Sequence, residues 1–377
     1  GLAAALAAGR SGARVILCDE QAEFGGTLLG APDSIDGQPS ADWIAVAQGE
    51  LAGMPEVRPL PRTTAFGYYD HNYVCLAERV GDHLGPGKAP YRQKLWKVRA
   101  KQVVLATGAI ERPLVFADND WPGIMLAGAA RNYINRYGVI PGKRTVVLTN
   151  NDSAYAAALD LADAGAVVAA IVDLRAAPDS AAVAAARTRG IEVLANHAIT
   201  ATRGRKRVNG VTVMAIDQAG DGVTGSPRPL ECDLVLNSGG WNPTVHLFSQ
   251  SQGKLRFDEA LASFVPNVAL QKQRSAGASN GRFALADCLA EGYAAGLAAA
   301  ADSGFATSGG QAPTAAPTPA EAPLRPVWIV PSDKPVSQGG KFFVDHQNDA
   351  TAADVMLAAR EGYKSVEHLK RYTTMGM

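Results

Sequence analysis

Two acids, a glycine pair and a threonine follow the first predicted strand of the chain, and such residues can bind the sugar and phosphates of a nucleotide. Asp19 and Glu20 end the strand, and the run Gly25-Gly26-Thr27 comes four residues later. A carboxylate at this place accepts hydrogen bonds from ribose hydroxyls, and glycines let a pyrophosphate approach the backbone. Glu20 is the favoured ribose acceptor because of its spacing from the glycines. Asp19 is the alternative, since a strand end is predicted only to within a residue.

A predicted helix rich in alanine and leucine precedes that strand and starts at Gly1. In a dinucleotide-binding βαβ unit the last glycine of G-x-G-x-x-G opens the helix, and the acid follows about 20 residues later. Gly1 stands where that last glycine would be, so it is a candidate cofactor-binding residue. We expect a strand and two further glycines in front of Gly1, which makes the chain a fragment cut inside its own motif.

A short apolar strand that ends in Ala106-Thr107-Gly108 is the second candidate element of the site. Such a turn passes close to the pyrophosphate or the adenosine of a dinucleotide, where a side chain on the glycine would clash. Thr107 and Gly108 are therefore predicted to contact the cofactor.

A second βαβ unit is predicted from residue 144 onward, but its first loop reads Thr149-Asn150-Asn151-Asp152 and contains no glycine. A loop that holds phosphate needs bare backbone, and asparagine brings a side chain into that space. Asp152 would place a negative charge at the helix N-terminus, where it caps the helix. We expect this domain to keep its fold without a nucleotide; the alternative is an unusual loop that still works.

We expect no catalytic residue and no metal site in the chain. The six histidines lie far apart, and no nucleophilic-serine, zinc-hydrolase or P-loop motif occurs. The four cysteines, at positions 18, 75, 232 and 288, form no C-x-x-C pair. They are interpreted as small buried hydrophobes, which excludes a redox dithiol and fits a reducing cytoplasm.

The composition limits the classes of partner that this chain is expected to bind. Lysine plus arginine, 36 residues, balance 36 acids, and 47% of the residues are hydrophobic. The balance and the lack of a long basic run argue against nucleic acid or an anionic membrane surface as a partner. No apolar stretch approaches the length of a transmembrane helix.

The order of these elements resembles that of two-dinucleotide-domain flavoprotein reductases. The runs Glu111-Arg112-Pro113, Trp121-Pro122-Gly123 and Gly128-Ala129-Ala130 resemble one branch, which contains the alpha subunits of heterotetrameric sarcosine oxidases and subunits of opine, proline and cyanide-forming amine dehydrogenases. Residues 342–349, 360–368 and 370–374 resemble the sarcosine oxidase alpha-subunit family in particular.

The resemblance implies an α/β fold with two Rossmann-like domains of the glutathione-reductase type, the second inserted in the first. We predict the first domain at 1–142, with a β-insertion at 58–99, and its return at 238–304. The second, degenerate domain is predicted at 143–237, a linker at 305–325 and a small helical module at 326–377. Residues 281–287 resemble the closing flavoprotein signature of a strand and Gly-Asp before a helix, so Asp287 is the predicted hydroxyl acceptor although Ala286 replaces the glycine.

Family resemblance also implies the cofactors and partners. NAD is expected in the first site, FMN at the interface with the beta subunit, FAD in the beta subunit, and tetrahydrofolate in a domain that follows this chain. The partners are the beta, gamma and delta subunits. The beta subunit oxidises sarcosine, and glycine, a one-carbon unit and peroxide are formed.

Related dehydrogenases carry an iron–sulfur cluster in a similar small module. Asp345 and Gln347 stand where the cluster cysteines would be, and residues 326–377 contain no cysteine. Ligation needs thiolates, so we expect no cluster. Two alternatives stay open: an FAD-binding subunit of an opine, proline or cyanide-forming amine dehydrogenase, and a non-enzymatic scaffold.

Overall fold

A computed structural model describes residues 1–307 and 310–375 and divides the chain into two compact units. Unit 1 comprises Gly1–Ile110 and Trp241–Thr318, and unit 2 comprises Glu111–Gly240 and the chain from Pro319 onward. Unit 2 is thus inserted into unit 1.

The α-helices of the described residues are α1 (Leu2–Arg10), α2 (Ser40–Gly53), α3 (Ala127–Arg131), α4 (Ser153–Asp163), α5 (Ala181–Thr188), α6 (His246–Gln250), α7 (Leu285–Asp302), α8 (Ala352–Arg360) and α9 (Val366–Tyr372). The strands of the first half are β1 (Val15–Cys18), β2 (Ser34–Ile35), β3 (Gln38–Pro39), β4 (Val57–Leu60), β5 (Thr63–Tyr69), β6 (Tyr73–Arg79), β7 (Gln93–Arg99), β8 (Val103–Leu105), β9 (Ala109–Glu111), β10 (Ile124–Leu126), β11 (Arg144–Thr149) and β12 (Val167–Asp173). Those of the second half are β13 (Val193–Ala195), β14 (His197–Gly204), β15 (Val208–Ile216), β16 (Val223–Glu231), β17 (Leu234–Ser238), β18 (Trp241–Pro243), β19 (Lys254–Asp258), β20 (Ser263–Val268), β21 (Gln273–Ser275), β22 (Phe343–Asp345) and β23 (Ala350–Thr351).

Unit 1 contains two pairs of parallel strands, β1 with β4 and β8 with β21. Strands β5, β6 and β7 form an antiparallel sheet inside the predicted insertion. Helices α1 and α7 pack tightly, because a Cβ atom at Gly296 would overlap the backbone of Ala4. The alanines of α1 and the glycines of α7 therefore serve close helix packing.

Unit 2 is built on a parallel sheet with the strand order β10-β17-β11-β12-β13. Val146, Val147 and Leu148 of β11 are all fully buried, since hydrophobic clusters cover both faces of the sheet. Continuous apolar runs of this kind are typical of parallel sheets with two covered faces. The α/β class with Rossmann-like domains, the second inserted in the first, is thereby confirmed.

The bounds of the units differ from the predicted domain bounds. Residues 111–142 belong to unit 2, because β10 pairs with β17 in the parallel sheet and α3 packs on that sheet. The module from residue 326 onward also belongs to unit 2: the N–H of Val330 donates to the Val115 carbonyl at 2.8 Å, and the Phe343 N–H donates to Asn119 Oδ1 at 2.8 Å.

The predicted linker, 305–325, is not free of core contacts; its residues 308–309 lie outside the described part of the chain. Pro313 is buried, and Ala312 and Ala315 pack against the core of unit 1. Tyr293 donates its hydroxyl to the Gly310 carbonyl at 2.6 Å. Its proline-rich composition resembles that of a free linker, but backbone hydrogen bonds and small side chains dock the segment. Across 1–307 and 310–375, no helix has both the length and the apolar content needed to cross a bilayer.

Candidate functional site

Asp19 lies directly after β1 and is half-buried. Its N–H donates to the Leu60 carbonyl at 3.1 Å, and its Oδ1 accepts the Gln21 N–H at 2.8 Å. Burial raises the pKa of Asp19; the hydrogen bond from the Gln21 N–H lowers it, and the Glu20 carboxylate raises it. Asp19 is thus fixed at the carboxyl end of β1 and lies near the start of α1. Glu20 is exposed, and its carbonyl accepts a hydrogen bond from the Arg79 guanidinium.

The glycine pair lies at the start of a short 3₁₀ helix, Gly26–Gly30. Gly25 has φ +134°, and a Cβ there would lie 2.8 Å from Ile44 Cδ1. Gly26 has φ +57° and open space around it, and the neighbouring Thr27 is exposed. Gly25 is therefore required by conformation and packing, whereas Gly26 leaves uncovered backbone.

The turn after β8 is held by reciprocal hydrogen bonds within unit 1. Thr107 donates its hydroxyl to the Thr244 carbonyl at 2.7 Å, and the Thr244 N–H donates to the Gly108 carbonyl at 2.9 Å. Gly108 has φ +72°, and a Cβ at this position would meet no other group within 4 Å. The turn is rigid, and the space beside its glycine is open.

The strand predicted at 281–286 in front of Asp287 does not form. Its apolar residues instead lead into α7, which begins at Leu285, and Asp287 is exposed in the first turn of that helix. The strand that pairs with β8 is β21, and it ends at Ser275. The element beside the Thr107-Gly108 turn is thus the one that follows β21.

Sequence reasoning missed Gly277 and Glu291, which shape that element. Gly277 has φ +72°, and its N–H donates to Glu291 Oε2 at 2.6 Å. Asn280 also donates to Glu291, at 2.7 Å. The run of small residues after Ser275 could have indicated this turn. It was missed because β21, which precedes it, is short and polar and gives little indication of a strand.

Several of these residues converge at the N-terminal ends of α1 and α7. A Cβ on Gly1 would lie 3.9 Å from Leu17 Cδ1 in β1, and a Cβ on Gly277 would lie 3.4 Å from the Cys288 sulfur. Ala276 donates its N–H to the Leu105 carbonyl at 3.0 Å, next to the Ala-Thr-Gly turn. Gly1, Asp19 and the Thr107-Gly108 turn therefore belong to one edge of unit 1.

This edge has the donors and acceptors that a dinucleotide needs. The first amides of α1 have no partner within the helix and point toward its N-terminal end, where the helix dipole favours phosphate. Gly26 and Gly108 leave backbone uncovered, and carboxylates stand at the end of β1. The residues present fit the ADP half that NAD and FAD share.

The corresponding loop of unit 2 is closed. Asp152 precedes α4 but makes no capping hydrogen bond, so the predicted cap is wrong. Its carboxylate forms an ion pair with Arg175 at 2.7 Å, and Arg175 also binds Asp173 at 2.7 Å. Burial by itself lowers the pKa of Arg175, but the Asp173 and Asp152 carboxylates raise it above the usual value. The arginine stays charged between two buried acids.

All four cysteines are free thiols. Burial raises the pKa of Cys18 to about 11, with a further contribution from Asp19, and raises that of Cys232 to about 11. Cys75 is buried as well. The burial of Cys75 and Cys232 fits the interpretation as small hydrophobes, whereas Cys18 and Cys288 are only half-buried.

Comparison with solved structures defines the fold. The fold matches L-proline dehydrogenase from P. horikoshii, with a TM-score of 0.67 at 20% identity over 99% of this chain and 68% of that chain. It also matches thioredoxin reductase from T. acidophilum, with a TM-score of 0.60 at 19% identity over 80% of this chain and 95% of that one. The fold is the Rossmann-like flavoprotein fold with two dinucleotide-binding-type domains.

Sequence comparison finds relatives that are similar over the whole of this chain. A family model described as "Sarcosine oxidase A3 domain" matches residues 339–377. The sarcosine oxidase subunit alpha of a Corynebacterium species (strain P-1) is 47% identical over the whole of this chain. This chain is thus similar over its whole length to sarcosine oxidase alpha subunits, and it spans 39% of the length of that relative.

Proposed function

We propose that this chain is the dinucleotide-holding part of an alpha subunit in a multi-subunit amine oxidase. The whole enzyme would oxidise sarcosine (N-methylglycine) to glycine, a one-carbon unit and hydrogen peroxide, with tetrahydrofolate as the one-carbon acceptor. The 47% identity to a sarcosine oxidase subunit alpha supports this proposal. The observation that carries the role of this chain is the open glycine backbone at the edge of unit 1.

In the proposed site the amides that follow Gly1 and the backbone of Gly26 and Gly108 face the pyrophosphate. Glu20 or Asp19 accepts hydrogen bonds from the ribose, and Thr107 holds its turn through Thr244. Gly25, Thr27 and Asp287 remain predicted contacts. NAD is the proposed occupant and FAD the alternative, since both contain ADP. The bound dinucleotide would supply redox chemistry only if its nicotinamide or flavin ring reaches an electron donor.

Substrate oxidation is assigned to a partner. In this proposal the beta subunit holds FAD and breaks the C–H bond of the amine, FMN lies at the interface with the beta subunit, and gamma and delta subunits complete the heterotetramer. Tetrahydrofolate would bind a further domain of the alpha subunit. The described residues contain no group of three or more His, Cys, Asp or Glu side chains that could hold a metal ion.

We further propose that the module from residue 326 onward carries no iron–sulfur cluster. The Asp345 carboxylate accepts the N–H groups of Gln347 and Asn348 at 2.9 and 3.2 Å, so it stabilises a turn of its own chain. The absence of cysteine from 326–377 supports the same conclusion. Free thiols at all four cysteines support a cytoplasmic location.

Gly108→Val in the intact, assembled enzyme tests the site. The substitution places a branched side chain in the open space beside the turn, so we expect the affinity for the nucleotide to fall at least tenfold, or about 1.4 kcal/mol. Binding is measured by titration with NAD and with FAD, and visible flavin absorbance of the extracted cofactor decides which of them the enzyme retains.

Gly12→Val is the matched control. Gly12 has φ +78° and open surroundings like Gly108, but it lies beyond the other end of α1, about 15 Å from Gly1. Both variants carry the same backbone strain, and only Gly108→Val should lose nucleotide. Equal affinities of both variants for NAD and for FAD would contradict the proposed site.

A further inference from the structure

The carboxyl edge of the parallel sheet of unit 2 is covered by a segment of the same chain. In open α/β sheets a nucleotide lies beyond the carboxyl ends of the strands, at the point where the strand order reverses. Strand β11 has β12 on one side and β17 on the other, so this point lies at the end of β11. Residues 322–325 bind the loops that follow β11 and β12.

Ala322 is bound through both of its backbone groups. Its N–H donates to Asp152 Oδ2 at 2.8 Å, and its carbonyl accepts Arg175 Nη1 at 3.3 Å. The buried acid and the buried arginine at this edge thus each bind one peptide group of the segment.

Arg325 is bound through its backbone and its side chain. Its N–H donates to the Asn150 carbonyl at 3.2 Å, and its own carbonyl accepts Asn150 Nδ2 at 2.8 Å. The guanidinium donates to the Gly220 carbonyl at 2.8 Å and to the Leu174 carbonyl. These contacts require an arginine, because its planar guanidinium can donate to two converging backbone carbonyls at the same time.

The polar groups that would bind a nucleotide at this edge already have partners. Asp173, at the place of a ribose acceptor, is 0% exposed and accepts the Tyr155 hydroxyl at 2.7 Å as well as Arg175. The N–H of Ser153, at the start of α4, donates to Asn151 Oδ1 at 3.0 Å. A phosphate would also meet the negative charge of Asp152.

We propose that this edge of unit 2 is a peptide-binding site, and that its ligand is the segment 319–325 of the same chain. The bound segment closes the edge to nucleotides and holds the module from residue 326 onward on unit 2. The proposal does not depend on the function proposed for unit 1, because it concerns other residues and another ligand.

Hydrogen exchange of the intact protein tests the proposal with Arg325→Ala. The variant loses the donors to Leu174 and Gly220, so we expect amide exchange at 149–153 and 319–327 to accelerate at least tenfold. Exchange in β11 and β12 should stay slow, which shows that unit 2 is folded. Arg228→Ala is the control, since that exposed arginine pairs with Glu192 on the same unit; it should leave all these rates unchanged.

A peptide added in trans tests whether the edge of unit 2 binds the segment itself or only contacts it because the chain is continuous. A synthetic peptide of residues 317–328 should slow exchange at 149–153 again in Arg325→Ala, and the same peptide with alanine for arginine should not. Ala322→Pro is a second variant, which removes the N–H bound by Asp152 and fixes φ at this residue but keeps both donors of Arg325. It should accelerate exchange at 149–153 less than Arg325→Ala does. Failure of the peptide to restore slow exchange overturns the proposal, as does slowing of exchange at 149–153 by ADP-ribose in the unaltered protein.

Discussion

Unit 1 and unit 2 each have a sheet edge with the architecture of a nucleotide site. The two edges differ in the groups that surround the first loop. In unit 1 the turns expose glycine backbone at Gly26 and Gly108, with open space beside both residues. In unit 2 the loop Asn150-Asn151-Asp152 is buried and binds residues of its own chain. A parallel sheet followed by a helix therefore supplies only the place for a ligand. Side chains at the loop decide whether a nucleotide or a peptide can lie there.

The acids at the two edges differ in the same way. Asp19 is half-buried, and burial raises the pKa of its carboxyl group, so ionised Asp19 gains from a hydroxyl donor. Asp173 is fully buried and already has Tyr155 and Arg175 as donors. The first acid can accept hydrogen bonds from a ligand, whereas the second stabilises the fold.

Replacing the buried arginine of unit 2 should have the largest effect. Arg175→Met leaves the carboxylates of Asp152 and Asp173 buried without a cation, so we expect unit 2 to lose about 3–5 kcal/mol of unfolding free energy. The slowest amide exchange in β11 and β12 measures that free energy. Arg228→Met, at an exposed ion pair, should cost less than about 1 kcal/mol. Similar losses of unfolding free energy in both variants would contradict the larger contribution that we expect from the buried ion pairs of Arg175.

Helix packing behind the edge of unit 1 should give the next largest effect. Gly296→Ala places a Cβ atom against the backbone of Ala4, so α1 and α7 must separate, at a cost of about 1–3 kcal/mol. Gly292→Ala on the same helix is the control, because its Cβ would lie 3.7 Å from the Ala3 Cβ, an ordinary contact. Higher helix propensity should stabilise that variant by up to about 1 kcal/mol. Amide exchange in α7 distinguishes them, and equal stabilities would refute the tight packing.

The smallest expected effect concerns the pH dependence of Asp19. The pKa of Asp19 is raised in the folded protein, so the fold loses stability as pH rises from the unfolded pKa of about 4 to the raised value, and the full penalty persists at higher pH. Below the unfolded pKa the penalty is absent. Asp19→Asn should therefore be slightly more stable than the unaltered protein at neutral pH, and the difference should vanish below about pH 4.

Denaturant unfolding at several pH values measures this difference. Glu20→Gln, at an exposed position, is the control and should change stability little. Asp173→Asn should do the opposite of Asp19→Asn and destabilise unit 2, because its carboxylate is paired. A loss of stability in Asp19→Asn at neutral pH would contradict the contrast between the two acids.

Local patterns predicted the parts of the molecule that depend on neighbouring residues. The acids after β1 and the turn at Thr107-Gly108 lie at strand ends, as their sequence indicates, because a strand and its turn are determined within a few residues. Their contacts with a cofactor remain predictions. The segment 281–287 shows the limit: an apolar run suits either a strand or the start of a helix, and α7 prevails through its packing on α1.

By itself, the sequence determined the α/β class, the loss of glycines from the second loop and the resemblance to sarcosine oxidase alpha subunits, since each depends on residue types at fixed spacing. Only the tertiary structure decided that β10 and α3 belong to unit 2, and that residues 322–325 bind at its sheet edge. Those outcomes depend on hydrogen bonds between residues more than 100 positions apart, such as Asn150 with Arg325. No local pattern encodes such pairings, because they form only when the burial of two distant surfaces offsets the entropy of closing the chain between them.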